Sequence, residues 1–154
     1  MTRVLSAGRL AALAMSMAAT AAAVLCLGGC GGSDGSDGTD PAALDSTEWG
    51  LESWSESGLD PAAAPITAIF AEGRISGLSG VNTYGAPYTT GPGDAFAVGE
   101  IASTMMAGPE AAMEAEAAYT RLLSEAASFD LAGDTLTLFA EDGTESLVFT
   151  ATFE

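Results

Sequence analysis

The positions of the aromatic residues constrain most strongly where this chain can fold. Both tryptophans, all three tyrosines and all six phenylalanines lie between Trp49 and Phe153 of a 154-residue sequence. Aromatic side chains contribute the largest apolar areas to protein cores, so the packed domain must lie in this interval. The chain from Asp45 onward is roughly 110 residues long, which is enough to bury a core without disulfides or metals.

Charge excludes one class of partner. All 21 acidic residues lie beyond residue 30, where Arg74 and Arg121 are the only basic residues, so this part has a formal charge of −19. Nucleic acids and anionic lipid headgroups bind clustered Lys or Arg, and we therefore expect no nucleic-acid binding. We interpret the acidic surface as solubilising; attraction to a basic partner or to divalent cations is the alternative.

The missing residue types exclude much catalytic chemistry. The sequence has no histidine and no lysine, and its two cysteines are Cys26 and Cys30. Serine or cysteine triads, Schiff bases and His/Cys zinc sites therefore cannot be built. We predict a non-enzymatic domain without catalytic residues, cofactor or metal. One enzymatic alternative stays open, a carboxylate pair such as Glu100 and Glu116 in glycoside-type hydrolysis.

The first 29 residues have the layout of a secretory signal peptide. A short basic head precedes an uncharged apolar run, residues 10–27. The run ends in Leu27-Gly28-Gly29-Cys30, which resembles the lipobox of bacterial lipoproteins. This resemblance implies cleavage after Gly29, lipidation of Cys30 and attachment to a membrane of the cell envelope, facing outside the cytoplasm. A membrane-spanning helix with Cys30 as a plain thiol is the alternative.

A linker follows the signal peptide. Residues 31–40 contain no apolar side chain and cannot bury surface, so residues 30–46 are predicted to be a disordered tether. The predicted division is therefore residues 1–29 as signal peptide, 30–46 as lipidated cysteine and linker, and 47–154 as the folded domain.

The folded domain is predicted to be α+β. Alternating apolar and polar residues, separated by turn signals such as Glu72-Gly73, indicate about eight strands in a curled, mainly antiparallel sheet. One helix is predicted to begin at Gly108-Pro109-Glu110, with glycine at the N-cap and proline at the first helical position. Its core-facing stripe comprises Met113, Glu116, Tyr119, Leu122 and Leu123.

The stretch from Arg74 to Tyr88 carries three glycines within a strand-like pattern. Glycine in a strand typically marks a bend or a close backbone approach. We interpret this stretch as a strand bent at Gly77 and Gly80, with Asn82 holding the bend.

Three groups of residues together resemble the META domain of HslJ-type heat-shock and envelope proteins. They are Gly77 to Asn82, then Ser103-Thr104-Met105-Met106-Ala107, and then Met113, Glu116 and Tyr119. The resemblance covers Trp49 to Phe153. It implies a curled antiparallel sheet with one helix and an association with envelope stress. The tether, the lack of catalytic residues and the exposed strand surface predict a role in protein interaction, with an envelope or secreted protein as partner. A domain that binds a small ligand or a cation is the alternative.

The resemblance offers no catalytic residues, and its motif is interpreted as structural. The motif residues are Gly77, Gly80, Asn82, Ser103, Thr104, Met106 and Glu116. Polar members at such positions typically satisfy backbone groups where strands bend. For Glu116 two interpretations stay open, a buried carboxylate with a raised pKa or a group at the stripe's edge that bonds backbone or an arginine.

The resemblance also predicts one contact. The family pattern commonly has cysteines where this chain has Val81 and Gly108. If those cysteines pair in relatives, these two residues lie close together, with Cα atoms within ~10 Å.

Overall fold

The computed structural model describes residues 41–152. The predicted signal peptide, including Gly29, and the lipidation site Cys30 lie outside the described residues, as does most of the predicted linker. None of the helices formed by residues 41–152 is both long enough and apolar enough to cross a membrane.

The described residues form nine strands, one α-helix and two short 3-10 turns. The 3-10 turns span Pro41–Leu44 and Pro61–Ala63. The other elements are β1 Thr47–Trp54, β2 Thr67–Ala71, β3 Arg74–Leu78, β4 Thr83–Gly91, β5 Ala95–Val98, β6 Ala102–Ser103, α1 Glu110–Ser124, β7 Ala126–Ala132, β8 Thr135–Ala140 and β9 Glu145–Ala151.

The strands pair into one antiparallel sheet that closes on itself. Its order is β3-β2-β1-β9-β8-β7-β5-β4, and β3 also pairs with β4, which completes the circle of eight strands. The two-residue β6 is a ninth strand that adds to β4. The prediction of an α+β fold with a curled antiparallel sheet and one packed helix is confirmed. The sheet curls further than expected, until each of the eight strands has a partner strand on both sides.

Aromatic side chains fill the interior of the closed sheet. Phe70 and Tyr88 meet edge-to-face with ring centroids 5.1 Å apart, and Phe96 and Phe129 lie 6.2 Å apart. Tyr119 of α1 reaches the same interior and is completely buried. Because alternate residues of a strand point to opposite faces, one set of side chains from every long strand builds a single core.

Strand directions give the closed sheet two distinct ends. The base is the end where β1 begins and β9 ends, since Trp49 pairs with Ala151. The β2–β3, β4–β5 and β7–β8 turns also lie at the base. The helix end carries the β3–β4 turn, the connection through α1 and the β8–β9 turn.

The glycine-rich stretch is a hairpin, and the prediction of one continuous bent strand is wrong. β3 and β4 run antiparallel to each other with Leu78 opposite Thr83, so the chain reverses within residues 79–82. Gly77 permits a close approach to the neighbouring strand. A Cβ there would lie 2.3 Å from the backbone oxygen of Thr67, which no side chain tolerates.

The helix differs from its prediction in two respects. Pro109 is the N-cap, with extended torsions, so the helix begins at Glu110, one residue later than expected. Met113 is not part of the core, because 37% of it is exposed. Small residues take the predicted role of Met113 and let the helix lie close to the sheet. The buried helical residues are Ala112, Ala115, Ala118, Tyr119, Leu122 and Leu123.

The packed domain starts earlier than residue 47. Leu44 belongs to the segment assigned to the linker, yet it is fully buried in the core cluster. The adjacent Asp45 side chain accepts a hydrogen bond from the backbone N–H of Glu72 at 2.8 Å. These contacts attach the chain to the β2–β3 turn before β1 begins.

Candidate functional site

Asn82 is the polar centre of the helix end. The residue is 2% exposed. Its side-chain oxygen accepts from the Thr104 hydroxyl at 2.8 Å and from the Met106 N–H at 2.7 Å. Its side-chain nitrogen donates to the Met106 carbonyl at 3.2 Å and to Glu116 Oε1 at 2.8 Å. A primary amide has two donors and two acceptor positions, and here all four are used.

Glu116 binds the same turn through its second oxygen. Oε2 accepts the backbone N–H groups of Asn82 at 2.8 Å and of Val81 at 3.2 Å. Partial burial by itself raises the pKa of the Glu116 carboxyl, but hydrogen bonds from Asn82 and Val81 outweigh it and hold the pKa below its ordinary value. Glu116 therefore bonds backbone groups as an ionised carboxylate, and the interpretation of a raised pKa is wrong.

The β3–β4 turn is closed by Ser79. Its N–H and its hydroxyl both donate to the Asn82 carbonyl, at 2.8 and 2.9 Å. Gly80 has a φ of 125°, a conformation that disfavours side chains, and a Cβ there would lie 3.1 Å from the Ala112 carbonyl oxygen. The turn consequently packs directly on the first turn of α1. We call residues 79–82, Thr104, Met106 and Glu116 the Asn82 junction.

Val81 and Gly108 are in direct contact across this junction. A Cβ built on Gly108 would lie 3.3 Å from Val81 Cβ and 2.4 Å from Val81 Cγ2. The prediction that the two residues are close in space is confirmed. The valine methyl groups occupy the volume that a side chain at position 108 would need.

The structure brings together most of the residues of the predicted motif, but not all. Gly80, Asn82, Thr104, Met106 and Glu116 meet in the junction. Ser103 lies beside it, exposed, as the partner of Tyr84 in the β4–β6 ladder. Gly77 contacts β2 instead. Sequence reasoning did not identify Ser79 as part of the site. No sequence pattern indicates that the N–H and the hydroxyl of one serine will donate to the same carbonyl.

The junction fixes a surface segment. Every residue from Ala102 to Ala111 is exposed. Met105 is 99% exposed, yet its neighbours Thr104 and Met106 are both hydrogen-bonded to Asn82. Met106 is 55% exposed and Met113, on α1, is 37% exposed. We call Met105, Met106 and Met113 the methionine surface.

The geometry argues against carboxylate catalysis at Glu116. A general acid in glycoside hydrolysis needs a raised pKa and an oxygen free to reach the substrate. Both Glu116 oxygens already accept N–H donors, and the carboxyl pKa is shifted in the opposite direction. Within residues 41–152, no three His, Cys, Asp or Glu side chains converge as potential metal ligands.

Two buried tyrosines form a second polar contact, inside the closed sheet. The Tyr84 and Tyr119 hydroxyls lie 2.6 Å apart, and Tyr84 donates to the Thr67 carbonyl at 3.0 Å. Since the Tyr84 proton is committed to Thr67, Tyr119 is the donor to Tyr84. Burial raises the pKa of both phenols, so both stay protonated. Each of the two hydroxyl groups thus has a hydrogen-bond partner inside the core.

A shallow cleft of about 400 Å³ lies at the base. Trp49, Leu131 and Ala151 contribute apolar lining, and Glu48 contributes a charge. The indole N–H of Trp49 donates to the Thr47 hydroxyl at 2.7 Å. The one polar atom of the tryptophan is thus already paired within the protein.

Solved structures with similar folds come from two named organisms. An NMR structure of a protein from Burkholderia xenovorans matches with a TM-score of 0.61 and 26% sequence identity, over 75% of this chain and 90% of that protein. A crystal structure of a duf4847 family protein from Bacteroides vulgatus ATCC 8482 matches with a TM-score of 0.53 and 12% identity, over 73% and 96% respectively. The latter shares the fold alone.

A second NMR structure matches with a TM-score of 0.56 and 23% identity, over 73% of this chain and 94% of that protein. No curated protein matches the sequence. The family model described as META domain matches residues 42–153, which agrees with the resemblance seen in the glycine, methionine and glutamate motif. Because this match spans well over half of the chain, the protein belongs to the META domain family.

Proposed function

We propose that this protein is a lipid-anchored lipoprotein of the bacterial cell envelope whose META domain binds another envelope or secreted protein without catalysing a reaction. The anchor rests on the signal-peptide pattern and on the lipobox-like residues before Cys30. The absence of histidine and lysine from the sequence supports a binding role over an enzymatic one.

The Asn82 junction carries the proposal for the domain. Its polar side chains bond one another and the backbone, so they are used to hold structure. What they hold is the segment that presents Met105 to solvent. A segment that is exposed but fixed loses little conformational freedom when it binds, which favours a binding site over a flexible loop.

Site-specific crosslinking in intact cells tests the binding role. A photoreactive amino acid replaces Met105, and a matched variant carries it at Asp130, which is exposed on β7. We expect a discrete protein adduct from position 105 and none from position 130. Equal adducts from both positions, or none from position 105, would contradict a docking role for this segment.

The anchor is tested by substitution of Cys30. Cys30→Ala removes the acylated sulfur, so the protein should move from the membrane fraction to the soluble fraction after cell breakage. Cys26→Ala is the matched control and should leave the protein on membranes. Membrane attachment of the Cys30→Ala protein would refute the lipid anchor and favour a spanning helix.

A further inference from the structure

We propose that the methionine surface binds a cationic segment that also carries apolar side chains, such as a basic amphipathic stretch of a partner protein. This inference rests on the proposed function, since it assigns a chemistry to the partner of the same segment. Three observations carry it: the exposure of the methionines, the fixation of their backbone and the charge around them.

The methionine surface exposes three large apolar side chains. Met105 is 99%, Met106 55% and Met113 37% exposed. The Met113 backbone lies one helical turn before Glu116, and Glu116 and Met106 bind the same Asn82 side chain. All three methionines therefore belong to the helix end. Methionine is unbranched and polarisable, and surfaces rich in it adapt to varied apolar partners.

The backbone under this surface is held in place. Asn82 bonds both the N–H and the carbonyl of Met106, and the Thr104 N–H donates to the Thr83 carbonyl at 3.0 Å. Both neighbours of Met105 are thus attached to the β3–β4 hairpin. The side chains can adjust to a partner while the backbone stays fixed, so little ordering is left to occur on binding.

The charge around the methionine surface has one sign. Residues 99–120 include Glu100, Glu110, Glu114 and Glu116 and contain no basic residue. Glu110 and Glu114 are exposed and four residues apart on α1, so they share the helix face beside Met113. Arg121, eight residues beyond Met113, is already paired with Glu56 and with Glu125.

The negative charge favours one kind of binding partner for the methionine surface over the others. A second copy would bring the same glutamates against each other, and like charges facing across an interface are unfavourable. Anionic lipid headgroups are repelled for the same reason. A segment with Lys or Arg beside apolar residues matches the charge and the apolar surface together.

Fluorescence anisotropy with two model peptides tests the proposal on the purified full-length protein. One labelled peptide alternates Leu with Lys in an amphipathic pattern; the other has Glu in place of every Lys. We expect saturable binding of the Leu/Lys peptide, weakened by salt, and none of the Leu/Glu peptide. Equal binding of both peptides, or of neither, would overturn the inference.

Three double variants separate a defined site from general attraction to an acidic protein. Met105→Ser with Met106→Ser should weaken binding of the Leu/Lys peptide by at least about tenfold, with an unchanged melting temperature. Glu110→Gln with Glu114→Gln should weaken it and reduce its dependence on salt. Asp130→Asn with Asp134→Asn removes two exposed charges elsewhere and should change affinity less than about twofold. Equal losses from both charge pairs would overturn the inference.

Two further measurements test the alternative occupants of the methionine surface, a second copy of the protein and a membrane. Sedimentation that shows a dimer abolished by Met105→Ser would identify a second copy as the occupant and refute a cationic partner. If the native protein binds anionic vesicles and the Met105→Ser variant does not, a membrane is the occupant and a cationic partner is refuted. If crosslinking at position 105 succeeds while the Leu/Lys peptide does not bind, only this inference fails; if both are negative, the proposed function fails as well.

Discussion

At the scale of single residues, Asn82 and Glu116 are complementary because N–H donors face carboxylate oxygens that only accept. Three N–H groups point at the carboxylate of Glu116, from Val81 and from the backbone and side chain of Asn82. An ionised carboxylate only accepts, so it suits all three. Any replacement that introduces a donor at this position must set two donors against each other.

Glu116→Gln tests this complementarity. The amide nitrogen of glutamine would face at least one N–H, so we expect a loss of about 2 kcal/mol of unfolding free energy at pH 7, measured by urea denaturation. Glu114→Gln, on the exposed face of the same helix, is the control and should change stability by less than about 0.5 kcal/mol.

The same variant has a defined pH dependence. The pKa of Glu116 is lower in the folded protein than in the unfolded chain. The carboxylate therefore stabilises the fold fully above its unfolded pKa, and this stabilisation is lost as the pH falls through the folded pKa. The difference in unfolding free energy between the native protein and Glu116→Gln should become smaller as the pH drops below about 4. A difference that widens in acid would contradict this assignment.

The buried tyrosines predict unequal costs for the loss of their hydroxyl groups. Tyr84→Phe leaves the buried Tyr119 hydroxyl and the Thr67 carbonyl without their partner, so we expect a cost of about 2 kcal/mol. Tyr119→Phe keeps the bond from Tyr84 to Thr67 and should cost about 1 kcal/mol. Chemical denaturation of both variants measures the two losses of unfolding free energy. A larger loss for Tyr119→Phe would show that the donor and the acceptor in the Tyr84–Tyr119 hydrogen bond are reversed.

These residue-level partners could be anticipated only in part. Asn82, Thr104 and Glu116 stand out as polar residues in a recognisable motif, and backbone bonding is the usual role for such residues. The partners themselves lie 22 and 34 residues from Asn82 in sequence. No local pattern encodes such separations, because folding of the sheet decides them. Tyr119 was predicted to be buried, but its hydroxyl partner could not be.

At the scale of elements, the strand pattern was more informative than the glycines. Alternation along residues 47–154 predicted about eight strands, and β8 shows the period-two burial on which this prediction depends. Gly77 and Gly80 were consistent with either a bend or a reversal. The antiparallel pairing of Leu78 with Thr83 shows the reversal. Met113 was assigned to the core on spacing alone, whereas alanines give the closer approach of helix to sheet.

The contact between the β3–β4 turn and the segment before α1 predicts a coupled pair of substitutions. Gly108→Ala places a methyl group 2.4 Å from Val81 Cγ2, so it should cost about 1–3 kcal/mol through overpacking. Val81→Ala makes the space for that methyl group. The double variant should therefore be more stable than the sum of the single changes by at least about 0.5 kcal/mol in a double-mutant cycle. Additive effects would show that the two residues do not compete for one volume.

At the scale of the whole domain, the class of fold could be predicted but its closure could not. About eight strands and one helix follow from patterns along residues 47–154. The circle depends on one short contact, in which β5 and β7 pair only through Ala95 and Ser128. No sequence pattern in either strand predicts so small a contact. The β5–β7 contact accompanies the packing of Phe96 against Phe129 inside the sheet.

The two ends of the domain carry different tasks in the proposed function. The described chain begins at the base, so the tether would enter there, while the methionine surface lies at the helix end. The strands between them span about 20 Å or more. The proposed tether would thus join the domain at the end opposite the methionine surface.

The position of β1 has a mechanical consequence. β1 lies between β2 and β9, and the chain enters it at the base. A load between the membrane and a partner at Met105 would run along β1, so all of its ladder hydrogen bonds would resist in shear together. A load between residues 41 and 152 would act at one end and open the β1–β9 ladder one bond at a time. Single-molecule pulling between residues 41 and 105 should therefore require a higher rupture force than pulling between residues 41 and 152. On this geometry, the resistance of the domain to a pulling force depends on the direction of pull.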